Sequence, residues 1–269
     1  MPSNKPDFFI FARIRPSWGY AIREGPQSKT RIAIKYPPPT TALGALVFSL
    51  LRIAGERREI LNSKNILARF RNVFAGVYIS VVKTLPFVYG SILRINRYYK
   101  DVEFAVTASP NVYLLSNEAS EIEVVYLVNI DNFVRLGGTE ILPRMEAHMK
   151  RADAERMLLR AARGMVRLGS RESVISVTDV ITGNVESLVT NSLDTRFSFP
   201  YVPSLSVKGD VDLLLLADPQ NTDFSSYEQE QKKWFAYPRD TVHISGGPLS
   251  VFKITTNTEE IYLLGGVAK

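Results

Sequence analysis

Basic and aromatic side chains alternate in one stretch of this chain, and that combination is suited to single-stranded RNA. The stretch surrounds Gly90 and Ser91. Cations neutralise phosphates, while aromatic faces stack on unpaired bases. The pattern predicts an RNA contact, with ordinary strand packing as the alternative reason for the aromatic residues. The predicted contact residues are Arg94, Arg97, Tyr98, Tyr99 and Lys100.

Two further basic clusters have spacing that would suit phosphates. Arg13 and Arg15 alternate along the first predicted strand, so both leave on one face, where they meet either phosphates or solvent. The loop from Arg167 to Ser173 offers backbone amides near Gly169, hydroxyl groups and guanidinium groups to one phosphate path, although Glu172 opposes this. The loop residues predicted to bind RNA are Arg167, Gly169, Ser170 and Arg171.

A triple proline links an extended segment to a helix at residues 36–46. Prolines 37–39 favour polyproline geometry and donate no amide hydrogen bonds, and the threonine hydroxyls that follow could cap a helix ending at Gly55. The helix N-terminus would attract an anion; a stiff connection without a ligand is the alternative. The candidate RNA-binding residues here are Tyr20, Lys35, Tyr36, Thr40 and Thr41.

Catalytic chemistry is harder to find. The histidines are His148, which lies among Met149, Lys150 and Arg151 where a surface role is favoured over catalysis, and His243 in a late strand. Asp210 and Asp212 share one face of a strand but lack the companions that a metal site needs. There is no phosphate-binding glycine motif of the nucleotide-binding type. The residues predict a binding protein that uses no cofactor and no metal.

Charge is unevenly divided along the chain. Residues 1–100 hold 17 Lys and Arg against 4 Asp and Glu, a net charge of +13, whereas the remainder holds 16 against 23, a net charge of −7. This asymmetry predicts a polyanion partner for the first part. Cysteine is absent, which excludes disulfides and thiolate metal sites. No membrane-spanning run or secretory signal is visible, so we expect a cytoplasmic protein with no membrane partner.

The order of predicted elements is strand, helix, strand, hairpin-like insertion, strand, helix, strand. This is the βαββαβ ferredoxin-like arrangement of an α+β protein, which RNA-recognition modules share. From Thr182 onward, short strands between Pro, Gly and Asn-Thr turns predict a smaller β-rich region. The predicted segments are Phe8–Pro16, a helix from Thr40 to Gly55, Asn72–Lys83, Ile122–Ile130, a helix over Arg144–Arg163, Val174–Ile181, and tail strands at 185–189, 211–217, 241–245, 249–255 and 261–264.

Two segments resemble the signatures of a known family. Tyr-Pro-Pro-Pro-Thr-Thr-Ala-Leu-Gly-Ala-Leu at residues 36–46 closely resembles the first signature of the Cas-five family of CRISPR-associated RAMP proteins, and residues 167–173 resemble the second. Chain length and the short β-rich tail look most like the archaeal type I-A branch. The resemblance implies an RNA-recognition-like domain over 1–181, with an inserted β-hairpin thumb at about 84–110. The β-rich C-terminal region then covers 182–269.

In function, the resemblance implies a subunit that caps the 5′ repeat-derived handle of crRNA in the Cascade complex. It would contact a backbone subunit of the Cas-seven type through the thumb, dock the large subunit, and meet target DNA only indirectly. The type I-C branch instead cleaves precursor crRNA with a tyrosine, a lysine and a histidine. Tyr36 could be that tyrosine, but no Lys-His pair follows on the insertion and His148 lies well beyond it. A metal-independent endoribonuclease therefore remains the alternative, and a protein-interaction module for an acidic partner is the third hypothesis.

Overall fold

The computed structural model describes most of the chain. None of the helices in this described part combines the length and apolar character needed to cross a membrane. The described residues are 5–17, 19–20, 22, 34–55, 67, 69–83, 86–93, 107–114, 120–139, 142, 145–146, 149–169, 173–219 and 232–268.

Strands dominate the described residues, with helices between some of them. In chain order the elements are β1 (Phe8–Pro16), α1 (Pro39–Ile53), β2 (Phe74–Ser80), β3 (Pro86–Leu93), β4 (Thr107–Leu114), β5 (Ile122–Val128), α2 (Ile130–Val134), α3 (Arg151–Arg163), β6 (Ile175–Thr195), β7 (Phe199–Pro200), β8 (Ser206–Lys208), β9 (Val211–Ala217), β10 (Lys232–Pro238), β11 (Val242–Thr255) and β12 (Glu260–Val267).

Four strands form the centre of the main sheet in the order β6-β1-β5-β2, and all neighbours are antiparallel. Helix α1 lies between β1 and β2 in the chain, and α3 lies between β5 and β6, so each crossover skips one strand. The two helices pack against each other over the sheet. This is the βαββαβ arrangement, and the predicted α+β ferredoxin-like fold is confirmed.

The central strand β1 is covered on both faces. Ile10 and Ile14 belong to the core beneath the helices, whereas Phe9 and Phe11 pack against the C-terminal strands on the opposite face. A strand buried on both faces has a nearly continuous apolar sequence rather than an alternating one. This explains why the prediction for Phe8–Pro16 matches the observed strand at both ends.

Strand β6 joins the ferredoxin-like core to the C-terminal region. It pairs with β1 up to Asn184 and with β11 from Val185 onward. The expected boundary between residues 181 and 182 therefore lies inside one strand of 21 residues, and a separate strand at 185–189 was wrong. Gly183 does not turn the chain but lies within this strand. The place where its Cβ would stand is filled by the ring of Phe9, at 2.8 Å.

The C-terminal region contributes to two sheets. Strands β11 and β12 extend the main sheet beyond β6, with β8 paired to β11, while β7, β10 and β9 form a separate three-stranded sheet. Leu216, Phe235 and Tyr237 of the smaller sheet join the core beneath the helices. The predicted strands at 241–245 and 249–255 are a single strand, because the segment between Ser245 and Leu249 forms a bulge and does not end the pairing.

Helix α1 begins without the predicted hydroxyl cap. Pro38 is the N-cap residue, and no side chain caps the helix. The carbonyl of Pro38 accepts hydrogen bonds from the amides of Thr41 (2.9 Å) and Ala42 (3.2 Å). Pro39 tolerates the first helical position, where the missing N–H costs nothing. The predicted end is confirmed, since Gly55 takes a φ of +72° just after the helix.

The second predicted helix is shorter than expected. Helix α3 begins at Arg151 and not at Arg144, because Lys150 has extended backbone angles. The buried apolar residues at helical spacing begin at Ala154, within the observed helix. The sequence prediction also missed α2, which the side chain of Asn129 caps by accepting a hydrogen bond from the amide of Asn132 at 2.8 Å.

Strands β3 and β4 form an antiparallel pair in the part of the chain where the thumb was expected. Gly90 pairs with Pro110 and Ser91 with Ser109, so the hairpin does not turn at Gly90 and Ser91. The pairing also continues to Leu114, beyond the expected end near residue 110. The predicted RNA-contact residues of this insertion lie outside the described residues: Arg94, Arg97, Tyr98, Tyr99 and Lys100.

Candidate nucleic-acid interface

The arginines of β1 are paired with carboxylates of the neighbouring strands. Arg13 lies 3.4 Å from Asp179 on β6 and 3.8 Å from Glu123 on β5. Arg15 lies 3.8 Å from Glu121, just before β5. Antiparallel pairing brings these acidic residues beside the cations. The predicted Arg13 and Arg15 face is thus largely neutralised within the protein.

Glu123 is the centre of a larger ionic cluster. Its side chain is 1% exposed and contacts Lys83 at 3.0 Å and Arg196 at 2.9 Å. Arg196 also forms two hydrogen bonds with Glu259, at 2.7 and 2.8 Å. The bonds to Glu259 and Glu123 raise the pKa of Arg196 above its usual value despite its partial burial. This cluster ties β5 to the C-terminal strands and has a structural role.

The segment of Tyr36 and the triple proline, which we call the proline arm (residues 35–39), is held by side chains of the smaller sheet. The ring of Tyr36 stacks on that of Tyr237, with centroids 4.9 Å apart and an interplanar angle of 7°. The Tyr36 hydroxyl donates a hydrogen bond to Asp212, as do Lys35 (2.8 Å) and Arg239 (2.6 Å). Burial alone would raise the pKa of Asp212, but hydrogen bonds from these three groups lower it well below its usual range.

Tyrosine hydroxyls also satisfy the carbonyls of the proline arm. Tyr20 donates to the carbonyl of Lys35, and Tyr237 donates to that of Pro37 at 2.7 Å. Prolines supply no amide with which the arm could join a sheet, so these carbonyls need donors from elsewhere. Tyr20 and Tyr36 are 0% and 3% exposed, so neither ring faces a ligand. Their position explains them as anchors of the arm.

The predicted glycine-containing loop is closed at its base by backbone contacts, and we call its described start, residues 167–169, the Gly169 turn. Arg167 bridges Val174, and the amide of Leu168 donates to the carbonyl of Ser173 at 3.0 Å. Gly169 is exposed and has a φ of +99°, a conformation that favours glycine. Ser170 and Arg171 lie outside the described residues. This segment therefore presents exposed backbone at Gly169, two residues after Arg167.

Two guanidinium groups converge on one aromatic ring near this turn. The Cζ of Arg167 lies 4.3 Å from the ring centroid of Phe48, and the Cζ of Arg52 lies 4.8 Å from it. Phe48 is half-buried on α1, one helical turn before Arg52. Each guanidinium group therefore makes a cation–π contact with the same ring. We call Phe48, Arg52, Arg167 and Gly169 the arginine–phenylalanine cluster.

Among the described residues, this cluster brings together two groups that can bind an anion. Guanidinium groups bind phosphate through paired hydrogen bonds. Sequence reasoning named Arg167 and Gly169 but missed Phe48 and Arg52. Their four-residue spacing on a predicted helix was the signal that pointed to a side-chain pair.

The remaining candidates are dispersed. Thr40 and Thr41 are half-buried in the first turn of α1. His243 lies 2.8 Å from Asp194 across two paired strands, and His148 lies outside the described residues. The anchors of the proline arm, Asp212, Tyr237 and Arg239, were also missed, since Asp212 is 177 residues from Lys35 in the chain.

The described residues form an α+β protein of the ferredoxin-like class, and the arginine–phenylalanine cluster is one basic site on it. Comparison with solved structures finds the same fold in the crystal structure of a CRISPR protein from Archaeoglobus fulgidus, with a TM-score of 0.56. The alignment covers 97% of this chain and 100% of that one at 18% sequence identity, so the likeness concerns the fold alone. No family model matches the chain, and no curated protein matches it.

Proposed function

We propose that this protein is a crRNA-binding subunit of a type I CRISPR Cascade complex, of the Cas-five type and closest to the I-A branch. The observation that carries the proposal is the arginine–phenylalanine cluster beside the Gly169 turn. The fold shared with a CRISPR protein and the two sequence signatures support the same assignment. The cluster would hold phosphates of the 5′ handle, since it combines paired guanidinium groups with exposed backbone at a glycine.

A binding titration tests this proposal directly. The purified protein is titrated with labelled RNA that carries the 5′ handle of the host's own CRISPR repeat, and with a scrambled handle, at several salt concentrations. The proposal predicts tighter binding to the true handle. Equal affinity for both RNAs would refute the capping role and leave a general affinity for polyanions.

The variant Arg167→Gln locates the binding site. Each phosphate contact to a single strand contributes about 0.7 to the slope of log K against log salt, so losing one weakens binding about fivefold at 0.1 M salt if the curves converge near 1 M. Arg135→Gln is the matched control, because Arg135 is an exposed arginine beside α2. Equal behaviour of the two variants would place the handle elsewhere on the surface.

The proposed role is binding without cleavage. We expect repeat RNA to stay intact in a chelator-containing buffer, and site-specific cleavage that His148→Ala abolishes would contradict this. In the cytoplasm, the proposed partners are a backbone subunit of the Cas-seven type at the β3–β4 hairpin and the large subunit. Co-purification of each subunit with this protein, in the presence and absence of crRNA, tests those contacts.

A further inference from the structure

The second half of α3 and the segment after it carry only positive charge. Residues 156–171 contain five arginines and no acidic residue. Arg156, Arg160 and Arg163 follow one another at intervals of four and three residues, so they lie on one side of the helix. With a rise of 1.5 Å per residue, they span about 10 Å. All three side chains are exposed.

Two of these arginines have no carboxylate partner within the described part of the chain. Arg156 pairs with Asp153, but no described carboxylate lies within ion-pair distance of Arg160 or Arg163. This contrasts with Arg13 and Lys83, which contact acidic side chains. Among the described residues, Arg160 and Arg163 therefore lack the kind of carboxylate neighbour that Arg13 and Lys83 have.

The exposed arginines are continuous with the arginine–phenylalanine cluster. Gly164, directly after Arg163, packs so closely on α1 that a Cβ there would stand 2.7 Å from the hydroxyl of Ser49. Ser49 is adjacent to Phe48, on which Arg52 and Arg167 converge. The end of α3 therefore brings Arg163 to the same seam between the two helices. We call Arg160, Arg163, Arg167 and Arg52 the arginine strip.

The helix dipole does not account for the whole strip. Cations in the last turn of a helix are stabilised by its negative end, which covers Arg160 and Arg163. The effect fades within that turn, however, and Arg167 and Arg52 lie on a loop and on a different helix. A strip of guanidinium groups from three segments, three of them on exposed residues and one on the half-buried Arg167, fits a ligand with several successive anionic groups, which is a nucleic-acid backbone.

We infer that Arg160 and Arg163 bind the phosphodiester backbone of single-stranded RNA that continues from the Gly169 turn along α3. The assignment to RNA rests on the proposed function, because the strip adjoins the surface proposed to hold the handle. The strip would bind without reading sequence, since backbone contacts position a strand and base edges specify it. It would therefore hold the nucleotides that follow the handle, whatever their sequence.

The test uses the double variant Arg160→Gln/Arg163→Gln. The matched control is Arg71→Gln/Arg135→Gln, which removes the same charge beside α2, at the other end of α3. That location follows from two contacts: Asn132 of α2 bonds to Asn72 beside Arg71, and Asp7 bonds both to the first amide of α2 and to Arg151 at the start of α3. Each protein is titrated with the handle alone, with the handle plus a 3′ extension, and with duplex DNA of equal length.

For the extended RNA, losing two phosphate contacts should lower the slope of log K against log salt by about 1.4. If the curves converge near 1 M salt, this is a loss of about 25-fold in affinity at 0.1 M salt. The handle alone should bind both variants equally. Arg160→Lys/Arg163→Lys should recover most of the salt slope, which shows that charge and not helix packing is measured. Matching thermal unfolding of the variants confirms that the fold is intact.

Different results overturn different claims. If the double variant binds extended RNA as its control does, the strip has no role. If only duplex DNA is affected, the assignment to RNA is wrong. If the wild type binds true and scrambled handles equally while the double variant still loses salt dependence, the capping function fails and the strip stands.

Discussion

Removing one buried hydroxyl group tests whether the proline arm depends on side-chain donors. The hydroxyl of Tyr237 donates to the carbonyl of Pro37 at 2.7 Å, and both groups are buried. Tyr237→Phe keeps the ring that stacks on Tyr36 and removes only the donor. The prolines of the arm have no N–H groups of their own, so no neighbouring amide of that run can replace it.

The expected cost follows from the fate of that carbonyl. Leaving a buried acceptor without a partner costs about 1–3 kcal/mol. Since the shape of the ring is unchanged and no cavity beyond the lost oxygen forms, we take the middle of that range, about 2 kcal/mol. This is roughly a 30-fold change in the folding equilibrium, and about 4–8 °C in Tm for a chain of this size.

Urea unfolding at pH 7 measures the effect, with a lower midpoint and an unchanged m-value as the expected result. Tyr262→Phe is the control, because its hydroxyl donates to Glu260 at the solvent-facing surface and its loss should leave the midpoint in place. If both variants unfold at the same urea concentration, the Pro37 carbonyl finds another partner. The proline arm then does not depend on tyrosine donors.

Three further variants test other parts of the structure. Asp212→Asn should lower the urea midpoint at pH 7, and the difference in midpoint from the wild type should shrink below about pH 4, as urea titrations at pH 7 and pH 3 would show. The reason is that the pKa of Asp212 is lower in the folded than in the unfolded protein, so its charge stabilises the fold above the unfolded pKa and this stabilisation is lost as the carboxylate is protonated. Glu123→Gln should lower the free energy of unfolding by about 2–3 kcal/mol, less than the loss of one partner of a fully buried ion pair, because Lys83 and Arg196 reach solvent. Equal urea midpoints for the variant and the wild type would show that the ionic cluster contributes nothing to stability. Gly169→Ala should lower the free energy of unfolding by about 1 kcal/mol, because residue 169 has a φ of +99°. An RNA titration should show a larger loss in the free energy of handle binding than this loss in stability.

The helices and strands whose bounds were predicted best from the sequence are those whose bounds depend on their own residues. Strand β1 begins with an apolar run because both its faces are covered there, and β9 was predicted over Val211–Ala217 as observed. Helix α1 ends where Gly55 permits positive φ. The order of these elements was enough to predict the βαββαβ arrangement, because the rules for connecting strands and helices allow only a few topologies for that order.

The errors came from residues whose role is set by distant partners. Gly183 lies where two separate strands were predicted to be divided, but its missing side chain makes room for Phe9 within a continuous strand. Tyr36 was predicted to bind RNA, yet it stacks on Tyr237, which is 201 positions away in the printed sequence. In both cases the partner comes from a distant part of the sequence. By contrast, Arg167 and Gly169 lie close together in the sequence, so a single short segment was enough to name both as candidate RNA-binding residues.

Charge along the chain also differs from charge in space, and this changes where a polyanion is expected. The first 100 residues carry a net charge of +13, which drew attention to Arg13 and Lys35. Antiparallel pairing and the smaller sheet bring acidic residues from the later part of the chain onto these cations, for example Asp179 and Asp212. The arginines of α3 belong to the net-negative part, yet Arg160 and Arg163 face no described carboxylate. A basic surface is therefore better located in the folded chain than along the sequence, and among the described residues Arg160 and Arg163 of α3, close in sequence to the Gly169 turn, form one such surface.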